Sequence, residues 1–270
     1  MCCDLPFVGT PPSRATYIDD HAIPFRLEAW KEEIPSPIDT WPSSLDHLPA
    51  SRTIQGEDSG LREITRRDVF NVLSLAATEL EVLRGYVASA VWGSGTIDSL
   101  RKQTFKALGQ ITDDKGLIIN NDLRNDIGAN LRSAIIAARR DPVEAFRRLH
   151  GDDGQNGFVE GAAGQNRIPQ LGPSFGTKVL YFGAYEKRDS GLLRPLIVDR
   201  NVIHALNDLC PSMDFDLPPT ADQYRSYLEL CHRWADQWGT DPDVVERLLF
   251  AYGKNKEDPE VRKYLADTKP

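Results

Sequence analysis

Between Leu171 and Asp199 the chain reads LGPSFGTKVLYF, then a short variable link, then RPLIVD; most of the remaining sequence reads as helical segments arranged around this stretch. Pro173 fixes φ, and Gly172 and Gly176 reach backbone conformations that other residues avoid. Gly172-Pro173-Ser174-Phe175-Gly176-Thr177 therefore reads as a tight turn feeding a helix that begins near Lys178. The apolar run Val179, Leu180, Tyr181, Phe182 reads as a short buried helix. A helix start after a glycine turn leaves backbone N–H groups free for a phosphate, so Gly172, Ser174, Gly176 and Thr177 are candidate contacts to a nucleic-acid backbone. Asp199 opens the next helix, which runs through Val202, Ile203, Ala205 and Leu206, and one amine and one carboxylate come to stand at adjacent helix starts. Taken singly, Lys178 also reads as an ordinary phosphate-contacting lysine and Asp199 as an N-cap.

Gly176-Thr177-Lys178-Val179 resembles the end of the hairpin in helix-hairpin-helix DNA glycosylases of the 8-oxoguanine glycosylase type, and Pro195-Leu196-Ile197-Val198-Asp199 resembles their Pro/Val-Asp segment. The longer string Leu-Gly-Pro-Ser-Phe-x-Thr-Lys-x-Leu-Tyr-Phe is more specifically similar to a bacterial group described as 8-oxoguanine-glycosylase-like. The close match covers about Leu171 to Leu206, with a looser helical match from about Leu61. The resemblance implies an all-α (mainly α) helix-hairpin-helix glycosylase fold. It makes Lys178 the nucleophile and Asp199 the essential acid, and it implies double-stranded DNA carrying a damaged or modified purine, 8-oxoguanine-like, as substrate. It also brings the loop after an early helix, here Trp92 to Thr96, close to the flipped base, which makes Trp92 and Ser94 candidates for the base pocket. Two departures stand out. Ser174 takes the place of the first hairpin glycine when Gly176 is aligned with the second. Asn201, preceded by Arg200, stands where the larger family often has histidine, so both residues are candidates for the substrate side of the site.

The chemistry fits these residue types. Cleaving an N-glycosidic bond develops positive charge on the sugar, which a carboxylate beside C1′ stabilises. A lysine amine attacks only when neutral, so it needs burial or a cationic neighbour, and Arg194 and Arg200 flank the aspartate in sequence. Attack at C1′ gives a Schiff base from which β-elimination follows, the signature of a bifunctional glycosylase and AP lyase.

At 270 residues and 40% apolar the chain can bury a substantial core. Residues 1–60 read as an irregular, proline-rich arm that docks by its aromatics, Trp30 and Trp41 among them. Residues 61–270 read as the helical domain, with the hairpin motif at 168–182. The arm also offers a surface for a protein partner. The absence of a long apolar run or a signal peptide points to a cytoplasmic protein with no membrane association. Cys2, Cys3, Cys210 and Cys231 make neither a disulfide framework nor a zinc pattern. They also lack the close C-terminal spacing by which some members of the superfamily hold an iron–sulfur cluster. The histidines are scattered, and no metal or other cofactor is expected.

The net charge of −8 opposes simple nucleic-acid binding, but it is unevenly spread. Residues 1–60 hold 4 basic and 10 acidic side chains and residues 201–270 hold 8 and 13, whereas residues 61–200, with the motif, hold 20 and 17.

Periodicity predicts a short helix at about Phe25 to Glu33, one long or broken helix from Leu61 with Thr65 as a plausible N-cap, and helices at about Asp98–Gln110, Asp122–Arg139 and Pro142–His150. Further helices are predicted at Val202–Leu209, Ala221–Trp238, Pro242–Tyr252 and Asp258–Ala266. Trp92 also reads as a core residue before a glycine C-cap. Only Leu196-Ile197-Val198 suggests a strand. A second functional reading keeps the glycosylase fold as a non-catalytic module binding a nucleobase, nucleic acid or partner protein, with bacterial phage defence as one setting.

Overall fold

The computed structural model describes residues 3–32, 40–51, 60–74, 76–108, 110–113, 116–119, 121–154, 168, 170–186 and 191–266. The mainly α expectation holds. After a short π-helix at Ala15–Asp19, strand β1 (Ala22–Arg26) runs into α1 (Leu27–Glu32), and a 3-10 turn follows at Ser43–His47. Strand β2 (Leu61–Thr65) then leads into α2 (Arg66–Ser74), and β1 and β2 pair antiparallel with Phe25 opposite Arg62. The short helix expected at about Phe25 to Glu33 is α1, with its first two residues in β1, and the ribbon replaces the helical reading at Leu61–Thr65. Leu61 and Ile64 are buried three residues apart, a spacing that imitates a helix, and the strand is revealed only by a partner far away in sequence.

Thr65 does cap α2. Its hydroxyl accepts the Asp68 N–H at 3.1 Å while the Asp68 carboxylate accepts the Thr65 N–H at 2.8 Å. Of the long or broken helix predicted here the broken form holds: α2 ends at Ser74, and α3 (Glu79–Ser94) restarts on a capping box between Thr78 and Glu81. Helix α4 (Asp98–Ala107) leads to a small hairpin of β3 (Gln110–Asp113) and β4 (Gly116–Ile119), then α5 (Asn121–Ala138) and α6 (Pro142–His150), the last capped by Asp141.

Helix α7 (Pro173–Ala184) is the central element: every residue except Ser174 is buried, and it packs against α2, α3, α5 and α6. The remaining helices are α8 (Arg200–Leu209), α9 (Ala221–Trp238), α10 (Pro242–Lys254) and α11 (Pro259–Arg262), with α10 packed on α8 and α9. Helix α11 is shorter than predicted. Leu196-Ile197-Val198 is extended but belongs to neither two-stranded sheet.

The N-terminal segment closes over this layer through aromatic packing. Phe7 stacks on Trp238 at 5.1 Å and meets Trp234 edge-on at 5.9 Å, and the Trp238 indole N–H donates to the Gly9 carbonyl at 2.8 Å. Trp30 is buried against Phe105, and Trp41 is also buried.

Candidate active site

The tight turn expected over Gly172 to Thr177 is instead the N-cap and first turns of α7, which starts five residues before Lys178. Gly172 is the N-cap, Pro173 supplies a preset φ at N1, and the Phe175 and Gly176 N–H groups already donate to the Gly172 carbonyl at 3.1 and 2.9 Å. Lys178 thus sits in the second helical turn rather than at a helix start. The hairpin reading at 168–182 includes Pro169, which lies outside the described residues, as do 155–167 of the loop before it.

Of the four proposed backbone contacts, Ser174 alone is partly exposed. Gly172 is buried. Gly176 lies under the His150 imidazole so closely that a Cβ would fall 2.1 Å from Nε2. Thr177 is fully buried, and its hydroxyl donates to the Pro173 carbonyl at 2.7 Å and accepts the Val198 N–H at 3.1 Å. It is an internal tie rather than a surface donor.

Lys178 is 5% exposed. Side chains on a helix lean toward its N-terminus, so Nζ reaches back one turn and donates to the Ser174 carbonyl and to Ser174 Oγ, each at 3.0 Å. Those contacts use two of the three ammonium donors. The Phe175 ring lies 5.1 Å from Nζ. Below the aliphatic stem is Gly93 of α3, where a Cβ would stand 2.9 Å from Lys178 Cδ and Cε.

Asp199 is the N-cap of α8. Its Oδ1 accepts the N–H groups of Asn201 and Val202 at 2.9 and 3.1 Å. The segment leading to it has no strand partner among the described residues, and side chains do the work of a ladder. Tyr224 Oη donates to the Leu196 carbonyl at 2.9 Å and accepts the Leu196 N–H at 3.3 Å, Tyr227 Oη donates to the Ile197 carbonyl at 2.7 Å, and Thr177 holds Val198. Behind the cap, α10 comes so near that a Cβ on Gly253 would fall 1.9 Å from the Asn201 carbonyl oxygen.

Burial holds the Lys178 amine below its usual pKa. Asp199 and Glu246 pull the other way, and the Arg66 guanidinium reinforces burial. The cation bearing on the lysine is therefore Arg66 of α2, rather than the sequence neighbours Arg194 and Arg200. Arg194 pairs with Asp241 at 3.2 Å and covers the Tyr185 ring at 4.8 Å, while Arg200 is exposed. Asn201 is half-buried, and its N–H serves the Asp199 cap.

Trp92 belongs to the core. Its ring meets Phe182 and His21 edge-on at 5.4 and 5.6 Å, the Arg66 guanidinium covers it at 4.8 Å, and its indole N–H donates to the His21 carbonyl at 3.4 Å. Those contacts, with 7% exposure, remove it as a stacking surface for a base. Ser94 is buried next to Gly93, and its hydroxyl has no partner among the described residues.

Sequence reasoning missed a buried charge network beside the lysine. Arg66 is bidentate on Glu246 at 2.8 and 3.3 Å and donates to Tyr181 Oη at 3.2 Å. Tyr181 Oη donates to Asp243 Oδ2 at 3.0 Å, which also accepts from Arg14 Nε at 3.0 Å. The available signal was Asp243 and Glu246, one turn apart on a helix face otherwise made of Val244, Val245, Leu248 and Leu249.

These features define a mainly helical protein in which the helix carrying the buried Lys178 is joined through Thr177 to the segment that ends at the Asp199 cap. The family model described as "Putative 8-oxoguanine DNA glycosylase OGG-like protein" matches residues 16–250, and the chain belongs to that family, a DNA glycosylase type that implies DNA binding. No curated protein and no solved structure gives a significant match. Among the described residues no helix is long and apolar enough to cross a membrane, and no cluster of metal-ligating side chains occurs.

Proposed function

We propose that the chain is a DNA N-glycosylase with AP lyase activity, excising a damaged or modified purine of the 8-oxoguanine kind that has been flipped out of double-stranded DNA. The observation that carries this reading is the buried amine of Lys178, whose helix is held by the Thr177–Val198 hydrogen bond against the segment that ends at Asp199. Neutral Nζ attacks C1′, the C1′–N bond breaks, and its electron pair leaves with the base. Asp199 stabilises the positive charge that develops on the sugar; the cap uses its Oδ1, and Oδ2 has no hydrogen-bond partner among the described residues. Transfer of one proton from Nζ to O4′ as the C1′–O4′ bond opens gives the protonated imine and a free 4′-hydroxyl. Removal of a C2′ hydrogen then expels the 3′-phosphate.

Residues 61–200, with 20 basic and 17 acidic side chains, supply the modestly cationic stretch for the duplex. The acidic flanks and the inward-facing Thr177, Gly176 and Trp92 favour the second reading, a module that binds DNA, a nucleobase or a partner protein without turnover. Base release from duplexes bearing different purine lesions separates the two. Release that requires Lys178 supports the enzyme, whereas lesion binding without release supports the module.

A further inference from the structure

The side chains of Lys178 and Arg66 rest against neighbouring residues of α3. The lysine stem lies on Gly93 and the guanidinium on Trp92, and Arg66 also donates to Tyr181, which lies one turn beyond Lys178 on α7. Arg66 and Glu246 are each 1% exposed, so neither charge is screened by solvent. We propose that the buried Arg66–Glu246 pair is a positioning pair that sets how readily Lys178 gives up its proton; this rests on the reading of Lys178 as the nucleophile.

The groups facing the amine are few. Helix α8 brings Asp199 at its cap, α10 brings Glu246, and α2 brings Arg66. Helix α6 brings only His150, which is buried and whose pKa is lowered to about 3, so it stays neutral at ordinary pH. From α3 come Gly93 and the uncharged Ser94. Arg66 and Glu246 act on Lys178 in opposite senses, beside the larger effect of burial and the opposing one of Asp199. Remove Glu246 and the guanidinium, which does not deprotonate, opposes the ammonium alone. Remove Arg66 and the Glu246 carboxylate acts on the lysine unopposed by the guanidinium, which favours the ammonium.

The test is the pH midpoint of Lys178 reactivity in the full-length protein without DNA, followed by cyanoethylation with acrylonitrile and peptide mass analysis. Glu246→Gln is expected to lower the midpoint by about one pH unit and Arg66→Met to raise it by about one. The double variant Arg66→Met/Glu246→Gln, which buries no lone charge, should stay near the wild type and covers the case in which a single variant fails to fold. Midpoints that do not move, or that move in the same direction, in folded single variants would overturn the proposal, as would a double variant shifted by a full unit. Borohydride trapping on an abasic-site duplex is run beside it. Opposed shifts with no trapped adduct would retain the pair's control of Lys178 and remove only the nucleophile reading.

Discussion

Thr177 Oγ1 accepts the Val198 amide hydrogen at 3.1 Å, so one buried hydroxyl joins the helix that carries Lys178 to the extended segment that ends at Asp199. The lysine and the aspartate are the next residues along each segment. Their separation is thereby set by a hydrogen bond between their immediate neighbours.

Thr177→Val keeps the shape of the side chain but leaves the Val198 N–H without its acceptor in a dry site. An unsatisfied buried donor costs about 1–3 kcal/mol. A lower urea midpoint by that amount, together with slower base release at saturating DNA, is expected. Wild-type stability and rate would show that Tyr224 and Tyr227 hold the segment unaided.

Asp199 has two separable duties. Asparagine caps helices about as well as aspartate, so Asp199→Asn should change folding stability by less than about 0.5 kcal/mol, while Asp199→Ala should cost about 1 kcal/mol. Both should lower single-turnover excision by about 100-fold, because both remove the charge facing the sugar. Equal activity of the asparagine variant and the wild type would make Asp199 a cap alone.

Gly93→Ala isolates the geometry of the amine. The added methyl meets Lys178 Cδ and Cε at 2.9 Å, and a flexible stem yields more readily than backbone. Alanine in a helix is favoured over glycine by about 0.5–1 kcal/mol, so thermal stability should hold or rise slightly. Excision should fall about tenfold or more as Nζ moves away from Ser174. Unchanged kinetics would mean that the reacting position of Nζ lies elsewhere.

Much of this was legible locally. The Thr65 cap, Asp199 at the start of α8 and the bounds of α6 and α9 follow from residues a few positions apart. What local reasoning missed depends on distant partners. The β1–β2 ribbon pairs Ala22–Arg26 with Leu61–Thr65, segments far apart in sequence. Gly172 and Gly176 suggested a loop, but Gly176 is small because His150 lies on it, and a glycine kept for close packing looks in sequence like one kept for a turn. Arg66, Glu246 and Tyr181 come from three helices and meet only in the folded core.

His150 gives the fold a defined acid sensitivity. It is buried beside Phe146, neither ring nitrogen has a partner among the described residues, and burial lowers its pKa from 6.5 to about 3. Between those values the unfolded chain binds a proton that the native state refuses, so stability falls as pH drops from 6.5 toward 3, at about 1.4 kcal/mol per pH unit. Asp243 and Glu246, whose pKa values are raised by burial, act in the opposite sense. The contribution of His150 is therefore read as the difference between wild type and His150→Leu. The leucine variant should lose less stability over that range, and parallel pH profiles would contradict the assignment.

The most direct measurement is borohydride trapping of the purified protein on duplexes carrying an abasic site or 8-oxoguanine, with Lys178→Gln alongside. A covalent protein–DNA adduct in the wild type that disappears in Lys178→Gln is the predicted result, with the peptide carrying Lys178 as the point of attachment. Folded, DNA-binding wild-type protein that gives no adduct on either duplex, or an adduct that persists in Lys178→Gln, would contradict Lys178 as the nucleophile.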